Sequence, residues 1–370
     1  MAGATARQPP RKDTQRQEGT ETAAQWWPAD DLAALTRFLV AQGLCGDPRD
    51  GGLEIRRIGE GHSNLTFAVT AGANRVVVRR PPPPPEPPRA HDVLREARLM
   101  DALRDTPVPV PKVLATAQAG EVIDVPLCVM SFAEGPVVTT STPERLSLPV
   151  TRRRIGEALI DTLANLHAVD WRAVGLADMG RPEGFNARHL HRIGTLVTDR
   201  DGNLPPHFAA AGRWLADHIP PESGAAVVHS DYRIGNVVLA PRPPGRVIAV
   251  LDWELATVGD PLLDVAYFLA SVPEPGQPRT PVQDMSTAML EDGYPGTEEL
   301  AARYADRTGR DLGGLTWYIV MTLWKLAALY EYSRRRTAGD GGDAYYADQS
   351  LVRSFLREAH RAAGIGEEVR

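Results

Sequence analysis

The sequence predicts an α+β protein of two lobes, a small sheet-rich one followed by a larger helical one. Three observations predict it. Short β-like runs dominate the chain as far as about residue 134, and long amphipathic stretches dominate beyond it. At 370 residues the chain exceeds what one hydrophobic core serves well. No segment repeats itself. The expected boundaries are a disordered tail over 1–24, a first lobe over 25–134 and a second over 135–370.

The tail is rich in Gln, Thr, Arg and Glu and has neither apolar periodicity nor the apolar core of a secretory signal. Beyond Pro28, Asp30 and Asp31 are placed to cap a helix whose apolar side is Leu32, Leu35 and Leu39. The runs 53–58, 65–70 and 75–78 read as strands separated by glycine-containing turns. Residues 81–88, PPPPPEPP, suit neither sheet nor helix and predict an extended polyproline connection. Helical spacing of Val93, Leu94, Ala97, Met100 and Leu103 predicts a helix over 91–103. Strands are expected at 113–116, 121–123 and 127–132. Helices are expected at 152–169, 206–218, 315–336 and 345–363, with short apolar strands at 226–228 and 247–251.

Composition excludes several classes of function. The net charge of −6, from 41 basic and 47 acidic residues, is too mild and mixed for a nucleic-acid or membrane-surface partner. No apolar run approaches 18 residues, and the greasiest late stretch carries Lys325 in its middle. Cys45 and Cys128 are too few for a disulfide framework or a structural zinc site, so a reducing, cytoplasmic compartment is expected. Only Lys12, Lys112 and Lys325 are lysines, so any chemistry that ordinarily uses lysine must find another residue.

The chemistry is written in VVHSDYRIGNVVL (227–239) and VIAVLDWELATVGDPLLD (247–264). His229, Asp231 and Asn236 form H-x-D-x-x-x-x-N, and Asp252 follows sixteen residues later at the end of an apolar run. This is the spacing of a kinase catalytic loop and its metal-binding aspartate. An acceptor hydroxyl needs a carboxylate to orient it and take its proton, the role expected of Asp231. Phosphoryl transfer needs hard oxygen ligands for Mg2+, which Asn236 and Asp252 supply. His229 is expected to organise the loop.

Upstream parts of the same device can be placed. Ser63 and Asn64, in a turn between two strands, are suitable donors to phosphate oxygens. Arg79, in VVVRR, occupies the place of a phosphate-pairing lysine, and Glu96 on the next helix is its expected partner. The apolar strand from Cys128 runs into small residues, where the backbone of Ser131 and Ala133 is expected to face an adenine edge.

On these residues the chain resembles the aminoglycoside phosphotransferase-like, protein-kinase-like superfamily. It is most similar to the branch related to the kinase-like domain fused to eukaryotic acyl-CoA dehydrogenases. GHSNLTFAV (61–69), VVVRRPP (76–82), REARLMDAL (95–103) and PVPVPKVLA (107–115) carry the resemblance together with the catalytic loop. It implies a two-lobed kinase fold, ATP with Mg2+ as cofactors, and phosphorylation of a small molecule's hydroxyl. The family's loop usually reads H-G-D, and here Ser230 replaces the glycine, a residue strained wherever φ is positive. Asp260 and Asp264, in GDPLLD, match a family segment and read as supports of the loop. A second reading, motivated by Ser230 and Arg79, is a nucleotide-binding pseudo-kinase that serves as an interaction module. The basic stretch 181–192, with His189 and His191, is compatible with an acidic or acyl-type substrate but reads first as a solvated loop and helix face. The branch's link to acyl-CoA dehydrogenases implies hydroxyacyl compounds ahead of antibiotics as acceptors.

Overall fold

In a computed structural model, the described residues are 26–46, 52–59, 64–82, 92–340 and 344–366. The expected tail over 1–24, Ser63 and most of the proline run lie outside them. The chain divides into two compact units. The first runs to residue 91 and takes in Ala115–Val129; the second comprises Asp92–Leu114 and Met130–Arg370.

The first unit opens with α1 (Ala29–Ala41), which buries Leu35 and Leu39. Pro28 stands at its N-cap and no side chain caps it. Asp30 and Asp31 instead occupy the first turn, where their charge complements the helix dipole. Strands β1 (Glu54–Arg57), β2 (Leu65–Ala71) and β3 (Asn74–Arg80) form an antiparallel meander. With β4 (Val113–Ala117) and β5 (Leu127–Ser131) they make a five-stranded sheet of order β1-β2-β3-β5-β4. The expected strand at 121–123 is a turn. Gly120 takes φ 85°, and the Glu121 carboxylate accepts the Gln118 N–H at 2.7 Å, chemistry that closes the chain on itself.

Alternation along β3 separates its two arginines. Arg80 is 5% exposed, donates to the Trp26 carbonyl at 2.6 Å and lies 4.8 Å over the Trp27 ring. Trp27 in turn meets Phe67 edge-on at 5.3 Å. Arg80 is thus absorbed into the core face, leaving Arg79 on the other face of the strand.

The second unit is mainly helical: α2 (Val93–Leu103), α3 (Pro149–His167), α4 (Phe185–Gly194), α5 (Pro206–Asp217), α6 (Leu262–Ser271), a single turn α7 (Pro281–Asp284), α8 (Thr297–Thr308), α9 (Leu315–Asp340) and α10 (Gln349–Ala363). Asp92 caps α2 by accepting the Arg95 N–H at 2.9 Å. The helix expected over 345–363 is broken at Asp348, whose side chain accepts the Ser350 N–H and starts α10. All of α6 is buried, and α9 buries Val320, Met321, Trp324, Ala327 and Ala328 against α6 and α10. Apolar residues around the whole circumference mark a helix enclosed on every side. Two short antiparallel ribbons, β6 (Ala226–Val228) with β9 (Thr257–Gly259) and β7 (Val237–Leu239) with β8 (Val247–Val250), lie among these helices. Among the described residues no helix is long and apolar enough to cross a membrane.

Candidate active site

The two ribbons hold the motif residues. β6 is fully buried and delivers His229, Ser230 and Asp231 at its end. A 3-10 turn over Ile234–Asn236 then feeds β7, whose partner β8 ends just before Leu251 and Asp252. The Leu251 N–H donates to the Asn236 carbonyl at 2.8 Å, so the residues before Asp252 are pinned to the loop. Asn236 Nδ2 donates to both the Asp231 carbonyl and Asp231 Oδ2, each at 2.8 Å. These bonds aim the Asp231 carboxylate and leave Asn236 Oδ1 as the outward acceptor of the amide. Asp231 keeps 20% of its side chain exposed, and Arg233 Nε lies 3.8 Å from its Oδ1.

His229 does not face solvent at all. Its Nε2 lies 2.8 Å from the Leu251 carbonyl, an acceptor only, so Nε2 carries the proton. Nδ1 is then the acceptor for the Asp231 N–H at 3.3 Å. The ring also packs against Trp253 at 4.7 Å. These contacts tie His229 into the backbone of the loop.

Asp264 is the anchor beneath the loop. Fully buried on α6, it accepts the His229 N–H at 2.6 Å and the Ser230 N–H at 2.7 Å on its two oxygens. His167 Nε2 stands 3.3 Å from the same carboxylate, and His167 Nδ1 lies 2.7 Å from the Tyr304 hydroxyl. Burial pushes the Asp264 carboxyl up, but His167 and the loop amides outweigh it and hold it below the usual carboxylate range. Asp260, also buried, binds the Ser223 N–H and hydroxyl, the Leu262 N–H and the Tyr318 hydroxyl. It fixes the start of α6 and does not touch the loop.

Two neighbours of Asp231 carry no motif. Lys325, on α9 and 9% exposed, donates from Nζ to the Ser230 carbonyl at 3.0 Å. Its pKa is pushed down to about 8, chiefly by burial and further by Arg192, against the opposing pull of Asp231 and Asp264. Tyr267, on α6, has its phenol pushed well up by burial and by the nearby Asp231 carboxylate. Position in the sequence announces neither residue; the one available signal was the scarcity of lysine.

The remaining expected residues are placed as follows. Asn64 is buried just ahead of β2, and Arg79 lies on β3, both in the first unit. Glu96 is 3% exposed on α2, in the second unit. The Ser131 hydroxyl accepts the Lys112 N–H at 2.9 Å, and the Ser131 N–H donates to the Lys112 carbonyl at 2.8 Å. Ser131 therefore spends its N–H holding β5. Of the basic residues in the stretch 181–192 only His189 is buried; Arg181, Arg188, His191 and Arg192 are exposed. Arg188 bonds the Glu183 and Arg181 carbonyls, while His189 stacks on Phe185 at 5.4 Å and receives Arg192 on Nδ1 at 3.1 Å.

Among the described residues there is no cluster of three or more His, Cys, Asp or Glu to cage a metal. One carboxylate, Asp252, and one amide oxygen, Asn236 Oδ1, on segments joined by a backbone hydrogen bond nevertheless fit a hard divalent cation that completes its shell with phosphate oxygens and water. Magnesium is that kind of ion.

Comparison with known proteins gives the family and the fold. The model of the phosphotransferase enzyme family matches residues 54–318. Mouse acyl-CoA dehydrogenase family member 10 is 28% identical over 86% of this chain, which spans 29% of that protein's length. A Ralstonia eutropha protein solved as a candidate aminoglycoside phosphotransferase superposes with a TM-score of 0.73, at 28% identity, over 90% of this chain and 98% of that one. A thermostable aminoglycoside phosphotransferase mutant, solved with ADP and hygromycin B, shares the fold at a TM-score of 0.55 and 17% identity, over 89% and 98% of the two chains.

Proposed function

The chain belongs to the phosphotransferase enzyme family, and from that premise we propose that it transfers the γ-phosphoryl group of ATP to a hydroxyl group of a small molecule. The observation that carries this reading is the Asp231–Asn236 pair: a part-exposed carboxylate aimed by two amide hydrogen bonds, with Asp252 on the adjoining segment. Asp231 takes the acceptor's proton as its oxygen bonds to the γ-phosphorus and the bond to the departing ADP breaks. Asn236 and Asp252 hold Mg2+, which when bound draws charge from the phosphate oxygens. Asn64 and Arg79 contact the nucleotide phosphates. The segment from Ser131 to Ala133 receives the base. A planar guanidinium suits phosphate oxygens as well as an ammonium does.

Among acceptors, hydroxyacyl compounds rank ahead of aminoglycosides. The relative named as an acyl-CoA dehydrogenase supports an acyl substrate, and phosphorylating a hydroxyl makes it a better leaving group. The rival reading, a pseudo-kinase, rests on Ser230 and Arg79. A thermal-shift titration with ATP separates the two. Stabilisation by ATP that requires magnesium, and that Asp252→Ala removes, supports the kinase. Stabilisation indifferent to magnesium supports the pseudo-kinase.

A further inference from the structure

Burying an ammonium is costly, and the usual remedy is a carboxylate in direct contact. Lys325 lacks that remedy: its hydrogen bond goes to a backbone carbonyl, and burial leaves its pKa near 8. It is also one of only three lysines among 41 basic residues. Lys12 lies outside the described residues and Lys112 is exposed, so Lys325 is the lysine this arginine-rich chain places inside its fold.

Its target is one peptide unit. Ser230 has a left-handed backbone, φ 68°, and its N–H is held by Asp264 Oδ1. The next peptide joins Ser230 to Asp231. Its carbonyl receives Lys325 Nζ at 3.0 Å, and its N–H donates to His229 Nδ1 at 3.3 Å. Rotation of this peptide would swing the Asp231 side chain away from Asn236, and Lys325 is what holds its carbonyl end. The ammonium reaches it from a residue 95 positions later in the chain.

We infer that Lys325 is a positioning residue for Asp231. It clamps the Ser230–Asp231 peptide so that the carboxylate stays in the orientation its chemistry needs. The activity part of this inference rests on the phosphotransferase reading; the conformational part does not.

The test compares wild type, Lys325→Met, Lys325→Arg and Asp231→Asn, all as the full chain. Two quantities are measured: magnesium-ATP turnover to ADP, and amide hydrogen exchange over residues 229–236. Methionine is close in length to lysine and removes a buried charge, so the variant is expected to fold with an unchanged or raised Tm. If it does not, Lys325→Gln carries the same prediction. Lys325→Met should speed exchange over 229–232 about tenfold or more while leaving α3 and α6 protected. It should lower kcat roughly 100-fold with the KM for ATP unchanged. Lys325→Arg, which keeps the charge and donors, should recover most of both. Unchanged exchange over 229–232 in Lys325→Met overturns the inference, and so does wild-type kcat. If wild type turns over no more ATP than Asp231→Asn, the phosphotransferase reading fails, and the exchange measurement alone decides the clamp.

Discussion

Ser230 and Asp252, at φ 68° and 65°, are the two non-glycine residues with a left-handed backbone among the described residues, and both stand at the candidate site. A strained backbone persists where the surroundings over-determine it. For Ser230 those surroundings are Asp264 on its N–H and Lys325 on its carbonyl. Aspartate tolerates this region better than serine does.

Ser230→Gly should therefore be stabilising. The left-handed conformation costs a non-glycine residue about 1–2 kcal/mol, and glycine's extra unfolded-state freedom returns roughly half of that. Urea denaturation should show a net gain of up to about 1 kcal/mol without loss of ATP turnover. A destabilised variant would mean that the serine side chain has a role beyond the contacts described.

Asp264→Asn should cost roughly 3 kcal/mol or more, because an amide cannot present two acceptor oxygens to the His229 and Ser230 N–H groups and to His167. The carboxyl is held below the usual range, so its stabilising contribution is fully present above the ordinary carboxylate pKa. It is lost as pH falls through the depressed folded value. The stability gap between wild type and variant should accordingly narrow on acidification from pH 7 towards pH 3.

For Lys325 the sign is reversed. A lysine lowered to about 8 from its ordinary value of about 10.4 destabilises the fold while protonated, and the penalty is relieved between those two pH values. The shift corresponds to about 3 kcal/mol. The charged or titratable groups that set it, Asp231, Asp264 and Arg192, lie on the loop, α6 and α4, and Tyr267 faces the ammonium from α6. Lys325→Met should melt above wild type at pH 7 by up to that amount, with the difference shrinking as pH rises past 8. A pH-independent difference would contradict the buried-ammonium account.

Gly135 follows the segment proposed to receive the base and lies against β7. A Cβ there would fall 2.0 Å from the Leu239 carbonyl oxygen and 2.9 Å from a Val238 methyl. Because the first obstacle is backbone, Gly135→Ala should lower stability by about 1–3 kcal/mol or more. Thermal melting with and without ATP checks whether nucleotide affinity falls as well.

Much of the fold was legible in the sequence because its signals are local. The three strands after residue 53, the helices over Val93–Leu103 and Pro206–Asp217, and the change from sheet to helix all follow from periodicity and turn residues. The strand expected at 121–123 failed because turn chemistry at Gly120 and Glu121 overrides a short apolar run. At the site, the spacing of His229, Asp231, Asn236 and Asp252 was legible, and the geometry unites the first three through direct hydrogen bonds. Asp264 was read as a support of the loop, but its two-oxygen grip was not legible. Lys325, His167 and Tyr304 were missed altogether. Each acts across about 90 residues or more, and a buried lysine in a helix spells the same as a solvated one.

The central claim is that Asp231 serves as base in magnesium-dependent phosphoryl transfer to a hydroxyl. It is tested most directly by coupled ADP release from magnesium-ATP, using a matched panel of hydroxy acids, their CoA thioesters, aminoglycosides and macrolides. The account predicts magnesium-dependent turnover of a hydroxyacyl compound by the wild type. Asp231→Asn should retain the wild-type Tm and lose about 100- to 10,000-fold in kcat. Wild-type kcat in a folded Asp231→Asn protein would contradict the claim.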